Sequence, residues 1–353
     1  MASGLPHIRK QRNLQTEPLR FRRDGTFRIL QVSDLHLVDP EMDDDPDPSV
    51  PLADEANTYS VYEQLVERTD PDLVVLTGDN VSGYWQEYTY EYMRKVIGKI
   101  THVAAKRNIP LAVVFGNHDS ELNFHREFQM TLYLEYANCR ACFNAEEMYG
   151  CGTYNLPILA SDGSDRKAFN LWLFDSNDYP RDTDGKFIPE YDYVHPDQIA
   201  WYEKTAAKLR QENGGEPLPS ILFQHIPVQQ EYDCIQTSDT PIEGAVGFTD
   251  GDGTFWYMPD AISGRLREKP CPPAHNHREQ FDSWVRTGDI VAAFFGHDHV
   301  NDFVVEKDGI LLVQTLGAGF WTYGKERGGR SIILHEDDPR HIDTTSIEIM
   351  SGD

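Results

Sequence analysis

The segment FRILQVSDLHL, residues 27–37, joins an apolar stretch of strand length directly to two residue types that bind metals. Residues 27–32 are mostly apolar and predict a buried β-strand. Asp34 and His36 follow at once, two positions apart. Because side chains alternate along extended backbone, Asp34 and His36 should point to the same side.

Four further segments repeat the arrangement of an apolar run followed by polar residues. The runs are 73–77 (LVVLT), 111–115 (LAVVF), 221–224 (ILFQ) and 290–295 (IVAAFF). Residues 87–106 and 196–211 have helical patterns, and 302–305, 310–314, 331–334 and 345–349 predict later strands. Alternation of short apolar strands with amphipathic helices is typical of a layered α/β domain.

Each of the five apolar runs ends in side chains that bind metals. The clusters are Ser33-Asp34-Leu35-His36, Gly78-Asp79-Asn80, Gly116-Asn117-His118-Asp119, His225, and Gly296-His297-Asp298-His299. Ligand sites in open α/β sheets assemble at the carboxyl ends of strands, so we expect these clusters to meet. His297 and His299 should point together, whereas Asp298 should point away and be structural.

The residue types favour two metal ions over one. Mixed Asp, Asn and His ligands suit borderline or hard divalent ions such as Mn, Fe and Zn. Seven candidate ligands exceed the needs of one ion and suit two ions that share a bridging carboxylate. Such pairs, about 3.5–4 Å apart, clamp the attacking and leaving oxygens of a phosphoryl displacement. Taken singly, a GD dipeptide is commonly a turn, but the joint occurrence favours a metal site.

In this order, D-x-H, GD, GNH[DE], a lone His and GHxH resemble the motifs of the calcineurin-like metallophosphoesterase superfamily. The segments FRILQVSDLH, VVLTGDN, GNHD, LFQHIP and GHDHVNDF resemble a branch of fungal phosphatases, bacterial homologues and plant purple-acid-phosphatase-like proteins. We therefore expect a four-layer α/β/β/α sandwich with mixed sheets over residues 27–350. Residues 1–26 would be an N-terminal extension, and residues 229–286 a long insertion that passes close to the site.

The resemblance implies a role for each motif residue. One metal would be held by Asp34, His36 and His299, the other by Asn117, His225 and His297, with Asp79 bridging them. A hydroxide activated by the two ions would attack phosphorus in line. His118 would stabilise charge on the phosphoryl oxygens or protonate the leaving alkoxide, with Asp119 orienting its imidazole.

One position departs from the purple acid phosphatases. These proteins carry a tyrosine three residues after the bridging aspartate, which gives Fe(III) its colour. Here that position is Ser82. The departure favours a colourless Mn, Fe(II) or Zn centre, and the sequence leaves the choice of metal open.

Residues outside the ligand set must provide substrate selectivity. Asn80, beside the bridging aspartate, is a candidate for a phosphate contact or for support of a ligand. Arg265 and Arg267 are candidates for a bidentate phosphate contact, unless carboxylates of this acidic chain pair with them. His275 and His277 resemble a ligand pair, but no apolar strand precedes them, which favours a surface position. The aromatic residues Phe255, Trp256 and Tyr257 either wall a pocket or pack within the long loop, and Trp321 and Tyr323 are candidates for another wall.

The net charge of the chain indicates which binding partners are disfavoured. The 353 residues include 58 acidic and 32 basic side chains, for a formal net charge of −26. This charge disfavours nucleic-acid polymers at long range, whereas two bound cations would make the pocket locally positive.

The five cysteines, including the C-x-x-C of Cys139 and Cys142, favour reduced thiols over a disulfide framework, with a local disulfide left open.

No apolar run approaches the roughly 18 residues of a membrane span, and the N-terminus lacks the apolar part of a signal peptide. The sequence therefore predicts a cytoplasmic protein without a membrane partner, and leaves the oligomeric state open. The predicted function is hydrolysis of a small phosphate ester or a phosphoprotein, foremost a phosphomonoester. The alternatives are a phosphodiesterase acting on a nucleotide- or lipid-derived diester, and an inactive scaffold of the same fold. Completeness of the ligand set argues against the scaffold.

Overall fold

Three β-sheets and five α-helices are present in the computed structural model, which describes residues 17–37, 54–83, 87–273 and 277–349. The strands are β1 (Thr26–Val32), β2 (Leu73–Thr77), β3 (Leu111–Val114), β4 (Tyr154–Leu159), β5 (Lys167–Leu173), β6 (Ser220–Phe223), β7 (Gln236–Ser238), β8 (Val246–Thr249), β9 (Phe255–Met258), β10 (Ile290–Phe295), β11 (Val304–Lys307), β12 (Ile310–Gln314), β13 (Arg327–His335) and β14 (Ile342–Ile349). The helices are α1 (Asp54–Thr69), α2 (Tyr90–Ala105), α3 (Arg126–Tyr133), α4 (Pro196–Glu212) and α5 (Glu279–Thr287).

The two large sheets are mixed. The first has the order β14-β13-β1-β2-β3, with β1, β2 and β3 parallel and β13 antiparallel to both β1 and β14. The second has the order β11-β12-β10-β6-β5-β4, with a parallel centre and antiparallel edge strands. The carboxyl ends of the parallel strands carry the motif residues.

Alternation along β10 shows how the layers stack. Ala292 and Phe294 belong to the core that includes β1, β2 and β3, whereas Ala293 and Phe295 belong to a second core under α4 and α5. On the outer face of the first sheet, α1 contacts β1 and β13, and α2 contacts β3. The layers are therefore helices, sheet, sheet, helices, which confirms the predicted α/β/β/α sandwich.

The N-terminal boundary predicted at residue 27 needs a correction. Leu19 and Phe21 are buried in the first core, and the Phe21 amide donates to the Leu159 carbonyl at 2.9 Å. The packed domain thus includes residues that the sequence assigned to an extension. The insertion is also structured, since β7, β9 and β8 form a small antiparallel sheet and α5 begins at Glu279.

Several elements were not predicted from the sequence, namely α1, α3, β4, β5, α5 and the strands of the insertion. The acidic, proline-rich stretch 39–54, which the sequence predicts to be a surface loop, lies outside the described residues except for Asp54, where α1 begins. Within the described ranges, no helix combines the length and apolar character needed to cross a bilayer.

A buried ion pair joins α3 to the end of β5. Arg126 Nη1 donates to the two carboxylate oxygens of Asp175 at 2.6 and 2.7 Å, and the Asp175 side chain is fully buried. We expect Asp175→Asn to lower the free energy of unfolding by about 3–5 kcal/mol, because it leaves a buried guanidinium charge uncompensated. Urea denaturation measures this effect. Asp165→Asn, which removes an exposed partner of Arg20, is the control and should cost less than about 1 kcal/mol.

Candidate metal centre

Two groups of potential metal ligands meet at the carboxyl ends of β1, β2, β6 and β10. The first group is Asp34, His36, Asp79 and His299, and the second is Asp79, His225 and His297. Within each group the ligand atoms all lie within 4.8 Å of one another, and every member is buried. Asp79 belongs to both groups, as a bridging ligand must.

Imidazole and carboxylate atoms converge closely in the first group. His36 Nε2 lies 3.2 Å from His299 Nε2 and 3.5 Å from Asp79 Oδ2. His299 Nε2 lies 3.3 Å from Asp34 Oδ1. Four side chains from three strand ends therefore face one small space.

The second group has a similar geometry. His225 Nε2 lies 3.1 Å from Asp79 Oδ2 and 3.3 Å from His297 Nδ1. Nδ1 of His225 is 2.8 Å from the Thr77 carbonyl, to which it donates, and this bond directs Nε2 towards Asp79 and His297. A hydrogen bond of this kind fixes the tautomer that a metal-binding histidine needs.

Asn117 follows β3, at the edge of the sheet where the ligand groups lie. Its Nδ2 donates to Tyr179 Oη at 2.8 Å, while its buried Oδ1 has no hydrogen-bonding partner among the described residues. The backbone amide of His118 donates to Asp79 Oδ1 at 2.9 Å, which holds this segment against the bridging position. An amide oxygen oriented in this way is suited to a cation.

Unusual backbone conformations place several of the ligands. Asp34, His36, Asp79 and His297 have φ values of 53°, 43°, 50° and 74°, in the left-handed region that costs energy for residues other than glycine. The surrounding structure must hold these turns in place. Such strain concentrates at functional sites.

The glycine before Asn117 has a steric role. A Cβ at Gly116 would collide with Asp79 Oδ1. Glycine is therefore needed for the close approach of the loops after β2 and β3, which explains one of the glycines in the motifs.

The buried carboxylates and the neighbouring imidazoles shift one another's pKa values. Burial alone would raise the pKa of Asp79, but the charges of His225, His118 and His36 hold it well below its usual range. Burial alone would lower the pKa of His225, but the charges of Asp79 and Asp34 raise it to about 10. The charge of His225 thus offsets that of the two buried carboxylates, as bound cations would.

The residues present fit a pair of divalent ions. Asp79 Oδ2 and Asn117 Oδ1 are buried without a hydrogen-bonding partner among the described residues. The donor set of carboxylate, amide and imidazole groups suits Mn, Fe or Zn.

His118 lies beside the ligands but belongs to neither group. Its ring centroid is 5.0 Å from that of His36, and its side chain is 22 % exposed. Nδ1 of His118 lies 2.8 Å from Glu121 Oε2, and Tyr179 Oη donates to Glu121 Oε1 at 2.8 Å. Glu121 therefore holds His118 directly, and through Tyr179 it also holds Asn117.

The prediction that Asp119 orients His118 is wrong. Asp119 is buried and accepts hydrogen bonds from the backbone amides of Asn80, Val81 and Gly116 at 3.1, 3.0 and 2.9 Å. It joins the loop after β2 to the loop after β3. The carboxylate that contacts the His118 imidazole belongs to Glu121.

Burial alone would lower the pKa of His118, but the charge of Asp79 and the hydrogen bond and charge of Glu121 raise it to about 9. A protonated imidazole is the form that stabilises phosphoryl oxygens or donates a proton to a leaving group.

The predicted substrate contacts are not supported by the geometry. Arg265 makes a bidentate pair with Asp302, at 3.1 and 2.7 Å, and also contacts Glu348, while Arg267 pairs with Glu326. These pairs correct the phosphate-contact interpretation in favour of the alternative of salt-bridged loop cations.

For Asn80, the structure likewise favours a supporting role over a phosphate contact. Its Nδ2 donates to the Val114 carbonyl at 3.2 Å, and the residue is only 1 % exposed. It supports the turn that follows the bridging aspartate. Asp298 points away from the metals as predicted, and its Oδ1 accepts the Cys271 amide at 3.1 Å.

Tyrosines flank the metal ligands on two sides. Tyr191 contacts His297 edge-on with ring centroids 4.3 Å apart, and Tyr323 stacks on His299 at 4.4 Å. The sequence predicted Tyr323 as a candidate pocket wall. It did not indicate that Tyr179 and Tyr191 would lie beside the site. Both lie in the long connection between β5 and α4, and its tyrosine content was the available signal.

The remaining candidates lie elsewhere. His277 stacks on Tyr193 with ring centroids 3.4 Å apart, and His275 lies outside the described residues. Phe255 and Tyr257 belong to β9 in the insertion. All five cysteines are free.

Comparisons with known proteins agree with the fold. The family model of the calcineurin-like phosphoesterases matches residues 27–301. The chain therefore belongs to the calcineurin-like phosphoesterase family.

Relatives include plant and fungal proteins. The chain is 30 % identical over 335 residues to "Probable inactive purple acid phosphatase 14" of Arabidopsis thaliana, covering 90 % of this chain and 77 % of that protein. It is 27 % identical over 293 residues to "Phosphatase DCR2" of Saccharomyces cerevisiae, covering 81 % of this chain and 46 % of that protein. A dimetal phosphatase from Danio rerio has the same fold, with a TM-score of 0.54 at 13 % identity over 91 % of this chain and 98 % of that one.

Proposed function

We propose that this protein hydrolyses phosphate esters, foremost phosphomonoesters, at a site that holds two divalent ions. The observation that carries the proposal is the pair of buried ligand groups that share Asp79, with His118 next to them. The yeast relative and the zebrafish protein are both called phosphatases, which favours the monoester.

Each side chain has a distinct task in this proposal. Asp34, His36 and His299 would hold one ion, and Asn117, His225 and His297 the other, with Asp79 shared between them. When bound, the two ions supply an activated water and neutralise charge on the phosphoryl group.

The residues around the ligands set their orientation. Thr77 fixes the tautomer of His225, and Thr322 Oγ1 is hydrogen-bonded to His299 Nδ1. His118 faces the substrate side, where it stabilises the phosphoryl oxygens or donates a proton to the leaving group. Glu121 keeps its imidazole in place.

A phosphodiesterase is the first alternative. Initial rates on p-nitrophenyl phosphate and bis-p-nitrophenyl phosphate should be measured in parallel, with Mn, Fe and Zn each supplied. We expect faster turnover of the monoester. A large preference for the diester would overturn the choice of substrate class while leaving the metal site intact.

An inactive scaffold is the second alternative, and the names of the Arabidopsis relatives favour it. The complete ligand set in this chain opposes it. Elemental analysis after growth in medium supplemented with Mn and Fe should find about two metal ions per chain. Less than one ion per chain, together with no turnover of either ester, would support the scaffold instead.

The net charge of −26 supports a small ester or a phosphoprotein as the substrate over a nucleic-acid polymer. The cations in the pocket act locally, whereas the surface charge acts on a polyanion at long range.

We expect Glu121→Gln to lower kcat by about 10- to 100-fold while the metal content stays unchanged. The amide cannot provide the negative charge that stabilises a protonated His118, although it preserves the shape of the side chain. Phosphatase kinetics and elemental analysis provide the two measurements.

Glu127→Gln is the matched control for this experiment, because Glu127 is an exposed glutamate on α3. It should behave as wild type. A Glu121→Gln variant with wild-type kcat would show that Glu121 does not position His118.

A further inference from the structure

A second cluster of metal-binding side chains lies on the hairpin of β13 and β14. Nε2 of His335 lies 2.8 Å from Asp343 Oδ2, and Nε2 of His341 lies 3.0 Å from Asp343 Oδ1. Ligand atoms of all three residues fall within 4.8 Å of one another. This cluster takes no part in the proposed phosphatase site.

The cluster and the phosphatase site lie at opposite ends of the first sheet. His335 pairs with Thr26 at the start of β1, whereas Asp34 follows the end of that strand. At about 3.3 Å per residue, the length of β1 separates them by roughly 20 Å. A ligand bound at the hairpin would therefore be independent of the phosphatase centre.

The strand register brings the three side chains together. Ile333 pairs with Asp343 across the antiparallel ladder, so their side chains lie on the same face. His335 and His341 are each two residues from this pair, and thus share the face. The imidazole centroids are 5.3 Å apart. The end of the ladder and the adjoining turn therefore bring two imidazoles and one carboxylate together.

The turn between the strands supports this arrangement. The His341 amide donates to the Asp338 carbonyl at 2.9 Å, which sets the position of His341. Glu336 is tied away from the cluster, because its carboxylate accepts from Arg166 Nη2 at 2.6 Å and from the Ser161 amide at 3.0 Å. In the part of the chain that the structure describes, the ion partners of Asp343 are the two histidines.

We propose that His335, His341 and Asp343 bind a divalent ion, with zinc as the best match. Two imidazole nitrogens and one carboxylate oxygen are a donor set of open zinc sites, in which water takes the fourth position. Zinc at about 2.0–2.1 Å from each donor places the donors roughly 3.3 Å apart. The observed separations, 2.8 Å from His335 to Asp343 Oδ2 and 3.0 Å from His341 to Asp343 Oδ1, are shorter than this, so the side chains must move apart to admit the ion.

All three side chains are accessible to an ion from solution. The side chains of His335, His341 and Asp343 are 26 %, 58 % and 51 % exposed. Substitutions there should leave the core intact. The exposed Asp337 and Asp338 in the same turn add negative potential that favours a cation, and the exposed Arg340 offsets part of it.

The test is equilibrium dialysis of the full chain, stripped with chelator, against buffered micromolar zinc, followed by elemental analysis. We expect His335→Ala/His341→Ala to hold one zinc per chain less than wild type. His102→Ala, which removes an exposed histidine of α2, should match wild type. Equal zinc content in wild type and the double variant would overturn the proposal.

A second arm separates this site from the phosphatase centre. Asp79→Asn should lose zinc from the phosphatase centre and keep one zinc, which the added His335→Ala/His341→Ala substitutions then remove. Cobalt in place of zinc provides a visible spectrum of the same site, and Asp343→Asn should weaken that band. Unchanged zinc content in Asp79→Asn would count against the phosphatase centre alone.

Discussion

Replacing Asp79 with asparagine is expected to remove the metal pair and nearly all phosphatase turnover. Asp79 is the member that the two ligand groups share, so its substitution affects both ions. Loss of a residue that merely supports a ligand costs about 10- to 100-fold in metal affinity, and a shared ligand should cost more. We expect the phosphatase centre to hold less than one ion per chain, counted in the His335→Ala/His341→Ala background, and kcat to be at least about 100-fold lower.

Asparagine is a stringent choice of replacement. It has nearly the same shape as aspartate and tolerates the left-handed conformation that Asp79 adopts at φ 50°. The His118 amide can still donate to the remaining side-chain oxygen. The substitution therefore removes the carboxylate charge with little change to the backbone.

Asp298→Asn is the matched control, because Asp298 is another buried carboxylate in a motif but points away from the metals. Its metal content should equal that of wild type. A phosphatase centre that still holds two ions in Asp79→Asn, counted in the same background, would show that Asp79 does not bridge them.

The ligand set was predictable because it depends on local sequence and one rule of topology. Asp34, Asp79, His225 and His297 each follow an apolar run, and parallel strands bring their carboxyl ends together. No knowledge of distant contacts was needed beyond the assumption of one layered domain. The same reasoning placed Asp298 correctly, since alternation turns it away from its neighbours.

The partner of His118 was not predictable because it depends on a short 3-10 helix. Residues His118–Ser120 form this turn, in which positions i and i+3 lie one above the other. Glu121 is therefore brought beneath His118, whereas the adjacent Asp119 is directed into the protein. Sequence adjacency suggested the wrong carboxylate.

Other features depend on contacts between distant segments. Arg265 meets Asp302 and Glu348 across gaps of 37 and 83 residues. Tyr191 reaches His297 from the long connection after β5. Such pairs leave no periodic signal in a single sequence. For this reason the sequence alone did not exclude the predicted phosphate contacts.

Replacing His118 with alanine is expected to lower kcat by about 10²- to 10⁴-fold while both metal ions stay bound. His118 belongs to neither ligand group, so its side chain is not needed to hold an ion. Its backbone amide, which donates to Asp79, remains in place. Elemental analysis and steady-state kinetics on p-nitrophenyl phosphate measure the two effects separately.

His125→Ala is the control for this variant, since His125 is an exposed histidine in the same segment and should be dispensable. Added imidazole should restore part of the activity of His118→Ala, because the native side chain is reachable from solvent. Wild-type turnover in His118→Ala would contradict the assigned role. Loss of metal would instead make His118 a determinant of the metal site.

The leaving group distinguishes the two tasks considered for His118. If the imidazole donates a proton to the leaving oxygen, His118→Ala should impair phenyl phosphate more than p-nitrophenyl phosphate, because phenolate is the poorer leaving group and needs the proton more. If it stabilises charge on the phosphoryl oxygens, both substrates should lose activity by a similar factor. Glu121→Gln should follow the same pattern with a smaller loss, because Glu121 acts through the imidazole that it holds.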